Sequence, residues 1–222
     1  MKGLASVSEI VAGMHCAVRL YLDRDLPGAE SPRYTVAKQV SYHLGEVLEC
    51  DQIWNEITTI LPRIEPAMRV FLDSCVEACK GRDWPVPVET DVMVESGVLG
   101  IRGMVDKVYD QAPYFAITRS SDAPANGTYM SDRVRVACFA ACVHETLDLP
   151  IESGYIEYIP SGELRTCMPQ PRDRRAMVRG IRAAQRIRAG EVPRRPLMAP
   201  CESCPHEDAC NSRKGKLLSE FL

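Results

Sequence analysis

The sequence predicts an α/β fold in which a small, mostly mixed β-sheet is flanked by helices. Apolar residues recur at helical spacing near both ends of the chain, as in VSEIVAGMHCAVRLYL at 7–22. The middle of the chain, 85–120, instead alternates β-branched and polar residues, which is typical of strands. The composition, 45% hydrophobic and 26% charged, is that of a globular protein with a sizeable core.

The first 83 residues are predicted to be mainly helical, with a loop at 23–34. One helix covers 7–22 and has Ser6 or Ser8 as a possible N-cap. One or two helices follow in 35–63, and another occupies 65–83 and ends at Gly81.

The rest of the chain alternates strands and helices. Three antiparallel strands are predicted in 85–120, with a turn at Ser96–Gly97. A helix follows in 131–147, and a strand pair in 152–168 turns at Ser161–Gly162. The last predicted helix is a basic one, 171–190, and a proline-rich connector follows it.

Charge and composition limit the classes of function. The net charge is only −3, so DNA binding requires a local basic patch. No stretch approaches the roughly 18 apolar residues of a membrane span, and the N-terminus is too polar for a secretory signal. We therefore expect a cytoplasmic protein with no membrane partner, whose ten cysteines are thiols or ligands rather than disulfides. Four of them recur one helical turn apart and are predicted to pack in the core: Cys75, Cys79, Cys138 and Cys142.

A cysteine cluster near the C-terminus predicts a metal or iron–sulfur site. The segment CESCPHEDAC contains Cys201, Cys204 and Cys210. The two-residue gap between the first two lets both thiolates reach one metal or cluster. Zinc and iron–sulfur clusters usually take four ligands, so a fourth must come from elsewhere.

The fourth ligand has three candidates. His206 is near in sequence, whereas His15 or Cys16 would have to be near in space. We favour Cys16, a thiol in the first predicted helix. The spacing leaves zinc and iron–sulfur open, because both use sets of thiolates.

The basic helix presents one face rich in arginine. Arg175, Arg179, Arg182 and Arg186 recur at spacings of four, three and four residues and so share a face. Such a stripe can neutralise the phosphates of DNA. The alternative is a solvated face paired with neighbouring acids.

Taken together, these motifs resemble the RecB-like nucleases of the CRISPR-associated Cas-four family, and they are similar to the nuclease domain of the Dna-two helicases. The resemblance covers nearly the whole chain and is strongest in CAVRLYL, LGIRGMVDKV and CESCPHEDAC. It implies a PD-(D/E)XK restriction-endonuclease-like core in a single domain, 1–222. It also implies an iron–sulfur subdomain formed by 1–30 and 190–222 together. The 4Fe-4S cluster ligands implied are Cys16, Cys201, Cys204 and Cys210.

The same resemblance implies DNA cutting that depends on Mg²⁺ or Mn²⁺, with CRISPR integrase proteins as partners. His43 and Asp106 match the family's metal-binding His and Asp. The family's E-x-K pair falls on Ile117 and Arg119, so Asp106 and Arg119 are the catalytic residues implied. On the following helix, a family Gln and Tyr are replaced by Arg135 and Phe139.

These replacements favour a protein that holds DNA over one that cuts it. Ile117 cannot bind a metal, and Arg119 is always charged and suited to bidentate phosphate contact. We therefore expect a DNA-binding protein of CRISPR adaptation with a degenerate nuclease site. One alternative is an active single-strand DNA exonuclease that uses a relocated carboxylate, and another is a zinc-stabilised interaction module. The candidates for a relocated carboxylate are Glu89, Asp91, Asp110 and Asp122.

Overall fold

The computed structural model describes residues 3–24, 30–196, 201, 202, 204 and 206–211, and these contain seven α-helices, six strands and a short helical segment at 207–211. The helices are α1 (Val7–His15), α2 (Ala17–Asp23), α3 (Pro32–Tyr42), α4 (Cys50–Ile60), α5 (Ala67–Cys79), α6 (Met130–Leu147) and α7 (Pro171–Arg188). The strands are β1 (Ala5–Ser6), β2 (Glu89–Ser96), β3 (Ile101–Val108), β4 (Phe115–Arg119), β5 (Gly154–Tyr158) and β6 (Glu163–Cys167). None of the helices in these ranges combines the length and apolar composition that crossing a bilayer requires.

The strands form one mixed sheet flanked by helices, which confirms the predicted fold class. The order is β1-β3-β4-β5-β6, and β2 pairs with the other edge of β3. Strands β2, β3 and β4 are antiparallel neighbours, as predicted, and β5 and β6 form the predicted strand pair. Helix α6 connects β4 to β5, and these two strands are parallel, as a helical crossover allows.

Two apolar cores stabilise this arrangement. The larger one packs α1, α6 and α7 against the sheet and includes Ile10, Ile117 and Phe139. The smaller one joins α3, α4 and α5. The four cysteines predicted to be core residues are at most 1% exposed, which confirms that prediction.

Strand β3 lies at a fork in the sheet. Along one edge it pairs with β2 over its whole length, from Ile101 to Val108. On its other edge β1 pairs only with 101–102, and β4 pairs only with 107–108. Within the described ranges, no strand pairs with this edge at 103–106, and a cavity opens there.

The chain around Cys16 departs from the sequence prediction. A single helix was expected over 7–22, but the helix breaks at Cys16, whose backbone is extended with φ −157° and ψ 111°. The predicted N-cap at Ser6 is confirmed, because its hydroxyl accepts a hydrogen bond from the backbone N–H of Glu9 at 3.1 Å.

Helices α1 and α7 approach closely at one glycine. A Cβ placed on Gly180 of α7 would lie 2.7 Å from the carbonyl oxygen of Ile10 in α1. A glycine at this position therefore lets the two backbones meet. The contact brings α1 against α7, which lie far apart in the sequence.

Candidate functional site

The four cysteines singled out in the sequence line one cavity of about 60 Å³. Cys16 lies at the junction of α1 and α2, whereas Cys201, Cys204 and Cys210 belong to the C-terminal segment. All four are partly buried. The structure thus brings together thiols from the two ends of the chain.

The break between α1 and α2 determines the surroundings of Cys16. Its backbone N–H ends α1 by donating to the carbonyl of Ala12 at 3.1 Å. Its own carbonyl starts α2 by accepting from the N–H of Leu20 at 3.2 Å. Cys16 therefore serves as the end of one helix and the start of the next.

Local backbone turns position the C-terminal thiols. The N–H of Cys204 donates to the carbonyl of Cys201 at 2.9 Å, and the N–H of Cys210 donates to that of His206 at 2.8 Å. The His206 ring is anchored to α2, because its Nε2 lies 2.5 Å from Oδ1 of Asp23. One of the two ring nitrogens of His206, the alternative fourth ligand, is therefore already in contact with Asp23.

The four thiols match, in number, the ligands that zinc or an iron–sulfur cluster usually takes. Among the described residues, no three His, Cys, Asp or Glu side chains are close enough to share one metal ion. A 4Fe-4S cluster takes four cysteine thiolates. Four partly buried thiols at one cavity satisfy the ligand count of such a cluster.

The helical core cysteines are poor alternatives as ligands. Burial raises the pKa of Cys75, Cys79, Cys138 and Cys142 to about 12. A metal ligand has to be the thiolate, which these thiols form reluctantly.

A second cavity, of about 570 Å³, opens at the fork beside β3. Asp106, Ile117 and Arg119 all line it, together with Arg135 and Phe139 from α6. The structure therefore brings together the positions that the nuclease resemblance aligned with the family's Asp, Glu and Lys.

Both carboxylate oxygens of Asp106 are engaged by protein donors. Oδ1 accepts from the Tyr34 hydroxyl at 2.9 Å and lies 3.1 Å from Lys38 Nζ. Oδ2 accepts from the backbone N–H of Thr118 at 2.7 Å. Continuing the β3–β4 register would place Thr118 opposite Val105, so the Asp106 carboxylate takes the role of a missing backbone partner.

Lys38 is the functional residue that sequence reasoning missed. Its Nζ also lies 2.5 Å from Oδ1 of Asp91, whose other oxygen accepts from the Tyr42 hydroxyl. Burial lowers the pKa of Lys38, but the carboxylates of Asp106 and Asp91 raise it more, so the ammonium stays charged. The signal was present in the sequence, because Tyr34, Lys38 and Tyr42 recur every four residues and so share one face of α3.

His43 is placed away from Asp106. It caps the C-terminus of α3, and its Nε2 lies 2.7 Å from Oε2 of Glu56 on α4. It is not among the residues that line the fork cavity. His43 and Asp106, the two residues expected to hold a divalent metal, therefore do not both line this cavity.

The positions of the missing E-x-K pair are filled by other contacts. Ile117 is 1% exposed and belongs to the larger apolar core. Arg119 Nε lies 2.9 Å from Oδ1 of Asp132, a fully buried acid whose Oδ2 accepts from the Tyr158 hydroxyl at 2.9 Å.

Of the acids considered as a relocated carboxylate, Asp91 comes nearest to the cavity, through Lys38. Glu89, Asp110 and Asp122 are exposed and do not line it. A buried acid that the sequence did not single out, Glu157, contacts Lys107 at 2.8 Å and Ser41 at 2.6 Å.

The arginine stripe of α7 is exposed at all four predicted positions: Arg175, Arg179, Arg182 and Arg186. Arg186 lies 3.4 Å from Glu191. In the part of the chain that the structure describes, the other three have no carboxylate within ion-pair distance. Their charge is therefore available to an external anion.

Comparison with known proteins leaves these geometric observations to stand by themselves. No model of a known protein family matches the sequence. No curated protein matches it either.

Proposed function

We propose that this chain is a DNA-binding protein of the Cas-four type that carries a 4Fe-4S cluster on Cys16, Cys201, Cys204 and Cys210. The observation that supports it most is the single cavity lined by these four thiols, which come from opposite ends of the chain. In this proposal the six-stranded sheet corresponds to a PD-(D/E)XK core. The segments 1–30 and 190–222 then form the cluster subdomain, and CRISPR integrase proteins are the expected partners.

In this proposal the nuclease site is degenerate. A divalent cation at Asp106 would have to displace Lys38 and the Tyr34 hydroxyl from Oδ1. Mg²⁺ needs several oxygen ligands in octahedral geometry, and the buried Ile117 side chain offers none. The fork cavity therefore holds the DNA strand without cutting it.

The α7 stripe supplies the contact with the DNA backbone. Arg175, Arg179 and Arg182 are exposed, and they recur along one helix face. Arginine binds phosphate through two parallel hydrogen bonds, which suits a backbone track.

The cluster is tested by metal analysis of anaerobically purified protein. We expect iron and sulfide with visible thiolate-to-iron absorption in the parent protein and in Cys50→Ser, and their loss in Cys16→Ser. Cys50 is a matched control, because it is also a partly buried thiol but lies on α4, outside the cavity. Stoichiometric zinc without visible absorption would instead identify the zinc-stabilised interaction module.

DNA binding is tested by the salt dependence of the affinity for a single-stranded oligonucleotide. The log of the binding constant falls linearly with the log of the salt concentration. Replacing Arg175, Arg179 and Arg182 by Gln is expected to make this slope less steep by about 2, at roughly 0.7 per phosphate contact. Equal slopes for the parent and the triple variant would contradict the role of α7.

Cleavage is measured in the same samples with Mg²⁺ and with Mn²⁺. We expect none. Cleavage that disappears in Asp106→Ala would establish the active exonuclease in place of the non-cutting protein.

A further inference from the structure

The guanidinium of Arg135 occupies an unusual position on α6. Its Nε is out of contact with solvent, and no hydrogen-bond partner for it exists in the part of the chain that the structure describes. Arg135 also lines the fork cavity. A buried polar group without a partner is costly, so a native structure that keeps one calls for an explanation.

The charges around Arg135 do not compensate it. Lys38 faces Asp106 and Asp91, and Arg119 faces Asp132. Arg135 has no carboxylate within ion-pair distance among the described residues. Its pKa is lowered by burial and, next, by repulsion from Arg119, so these two cations are held close together at an energetic cost.

Arg119 is itself incompletely bonded. Its Nε lies 2.9 Å from Oδ1 of Asp132, but the alignment is not that of a hydrogen bond, and both atoms lack another partner in the described structure. Both arginines line the same cavity, and the planar guanidinium fork of arginine matches the oxygens of a tetrahedral anion.

We infer that Arg119 and Arg135 form a subsite for a phosphate group in the fork cavity. Asp106 does not repel the anion strongly, because Lys38 lies against it at 3.1 Å. The hydroxyl of Tyr34 also lines the cavity. That this phosphate belongs to a DNA strand rests on the proposed function, whereas the subsite itself rests only on the two arginines and their surroundings.

The first experiment measures the melting temperature with inorganic phosphate against chloride at equal ionic strength. Phosphate is expected to raise the melting temperature of the parent protein and of Arg102→Met, but not that of Arg135→Met. Arg102 is the control because it is an exposed arginine of β3 outside the cavity. Equal responses of Arg135→Met and the parent protein would overturn the subsite.

Methionine is chosen because it keeps the volume of the arginine stem without its charge. With no ligand present, Arg135→Met is expected to melt at or above the temperature of the parent protein, since the unpartnered charge is gone. Arg135→Lys keeps the charge and tests the geometry of the fork. It is expected to keep only part of the phosphate response.

The second experiment identifies the source of the phosphate. If the occupant is a DNA strand, Arg135→Met weakens oligonucleotide binding about tenfold or more, and inorganic phosphate competes with the oligonucleotide. If phosphate stabilises the protein through Arg135 but no oligonucleotide binds, the subsite stands with a free phosphate ester as its ligand, and the DNA-binding proposal fails. If oligonucleotides bind the parent protein and Arg135→Met equally, without competition by phosphate, the subsite fails and the DNA-binding proposal stands on α7.

Discussion

At the scale of single residues, the hydrogen bonds of Asp106 decide what the fork cavity can hold. A metal-binding carboxylate needs free lone pairs directed at the ion, but Asp106 meets an ammonium, a phenol and a backbone N–H. Burial, together with the charge of Asp106, raises the pKa of Tyr34 above its ordinary value, so its hydroxyl stays a donor. These contacts make Asp106 a structural link between α3, β3 and β4.

The substitution Asp106→Asn tests this structural role. The Asn side chain has one accepting oxygen and one donating NH2 group, so it cannot accept from both Lys38 and Thr118. One donor would then face another donor. The free energy of unfolding is therefore expected to fall by about 2 kcal/mol. Chemical denaturation measures it. The control Asp122→Asn, at an exposed residue that does not line the cavity, is expected to change little. An unchanged stability of Asp106→Asn would show that the carboxylate is held for another purpose.

Some site residues were accessible from the sequence, and others were not. Asp106, Ile117 and Arg119 were expected at one site and do line one cavity, because alternation along β3 and β4 fixes which residues share a face. His43 was expected there too, but it lies at the C-terminal cap of α3 and contacts Glu56. Which side chain of α3 reaches the sheet depends on how the helix is rotated over it, and one sequence does not determine that rotation.

At the scale of elements, the interface between α1 and α7 joins two helices that lie far apart in the sequence. Gly180 brings the helices into backbone contact, and a charged contact closes one end of the interface. Arg188 of α7 lies 2.7 Å from Oε2 of Glu9, which also accepts from the backbone N–H of Ser6 at 2.6 Å. Glu9 therefore completes the capping box of α1 and holds α7 at the same time.

This double role gives the interface a pH dependence. Burial raises the pKa of Glu9, but the Ser6 N–H and Arg188 lower it more, so it lies below its ordinary value of 4.5. A carboxyl group whose pKa is lower in the folded state stabilises the fold at pH values above its unfolded-state pKa. This stabilisation is lost as the pH falls through the folded-state pKa. Glu9→Gln is expected to cost on the order of 1 kcal/mol at neutral pH.

The measurement is the free energy of unfolding of the parent protein and Glu9→Gln from neutral pH to below 4.5. The difference between them should shrink as the pH falls. Glu46→Gln, at an exposed acid that has no ion pair in the described structure, should follow the parent protein at every pH. A difference for Glu9→Gln that does not depend on pH would assign its effect to packing.

Most elements could be predicted because the local signals were strong. The three-strand meander, the pair β5–β6 and the long helices α6 and α7 follow the predicted segments. The two-residue strand β1 was missed, since it has no alternation of its own and exists through pairing with β3. The break at Cys16 was also missed, because the residues on both sides keep helical periodicity.

At the scale of the whole molecule, the proposed cluster connects a short C-terminal segment to a sheet that has its own cores. The larger core draws on α1, α6, α7 and the sheet, and the smaller one draws on α3, α4 and α5. Neither core contains a residue of the described parts of the segment 201–211. The stability of the sheet should therefore not depend on the cluster.

Removal of the iron by a chelator tests this independence. We expect faster tryptic cleavage after Arg194, in the connector to the cysteine segment, with unchanged amide exchange in β3, β4 and β5. The parent protein with iron serves as the reference, and Cys16→Ser should behave like the chelated protein. Faster exchange throughout the sheet would show that the cluster stabilises the whole fold.

The distance along the chain between Cys16 and Cys201 has a consequence for biosynthesis. The other three thiols follow the first by 185 positions or more, which is roughly 10–40 s of translation at ordinary rates. The strands and helices around Cys16 are therefore synthesised while the set of four ligands is still incomplete. A group that requires all four thiols can then be inserted only after the chain has been made through Cys210, so the delivery of iron would follow the synthesis of the sheet and its helices.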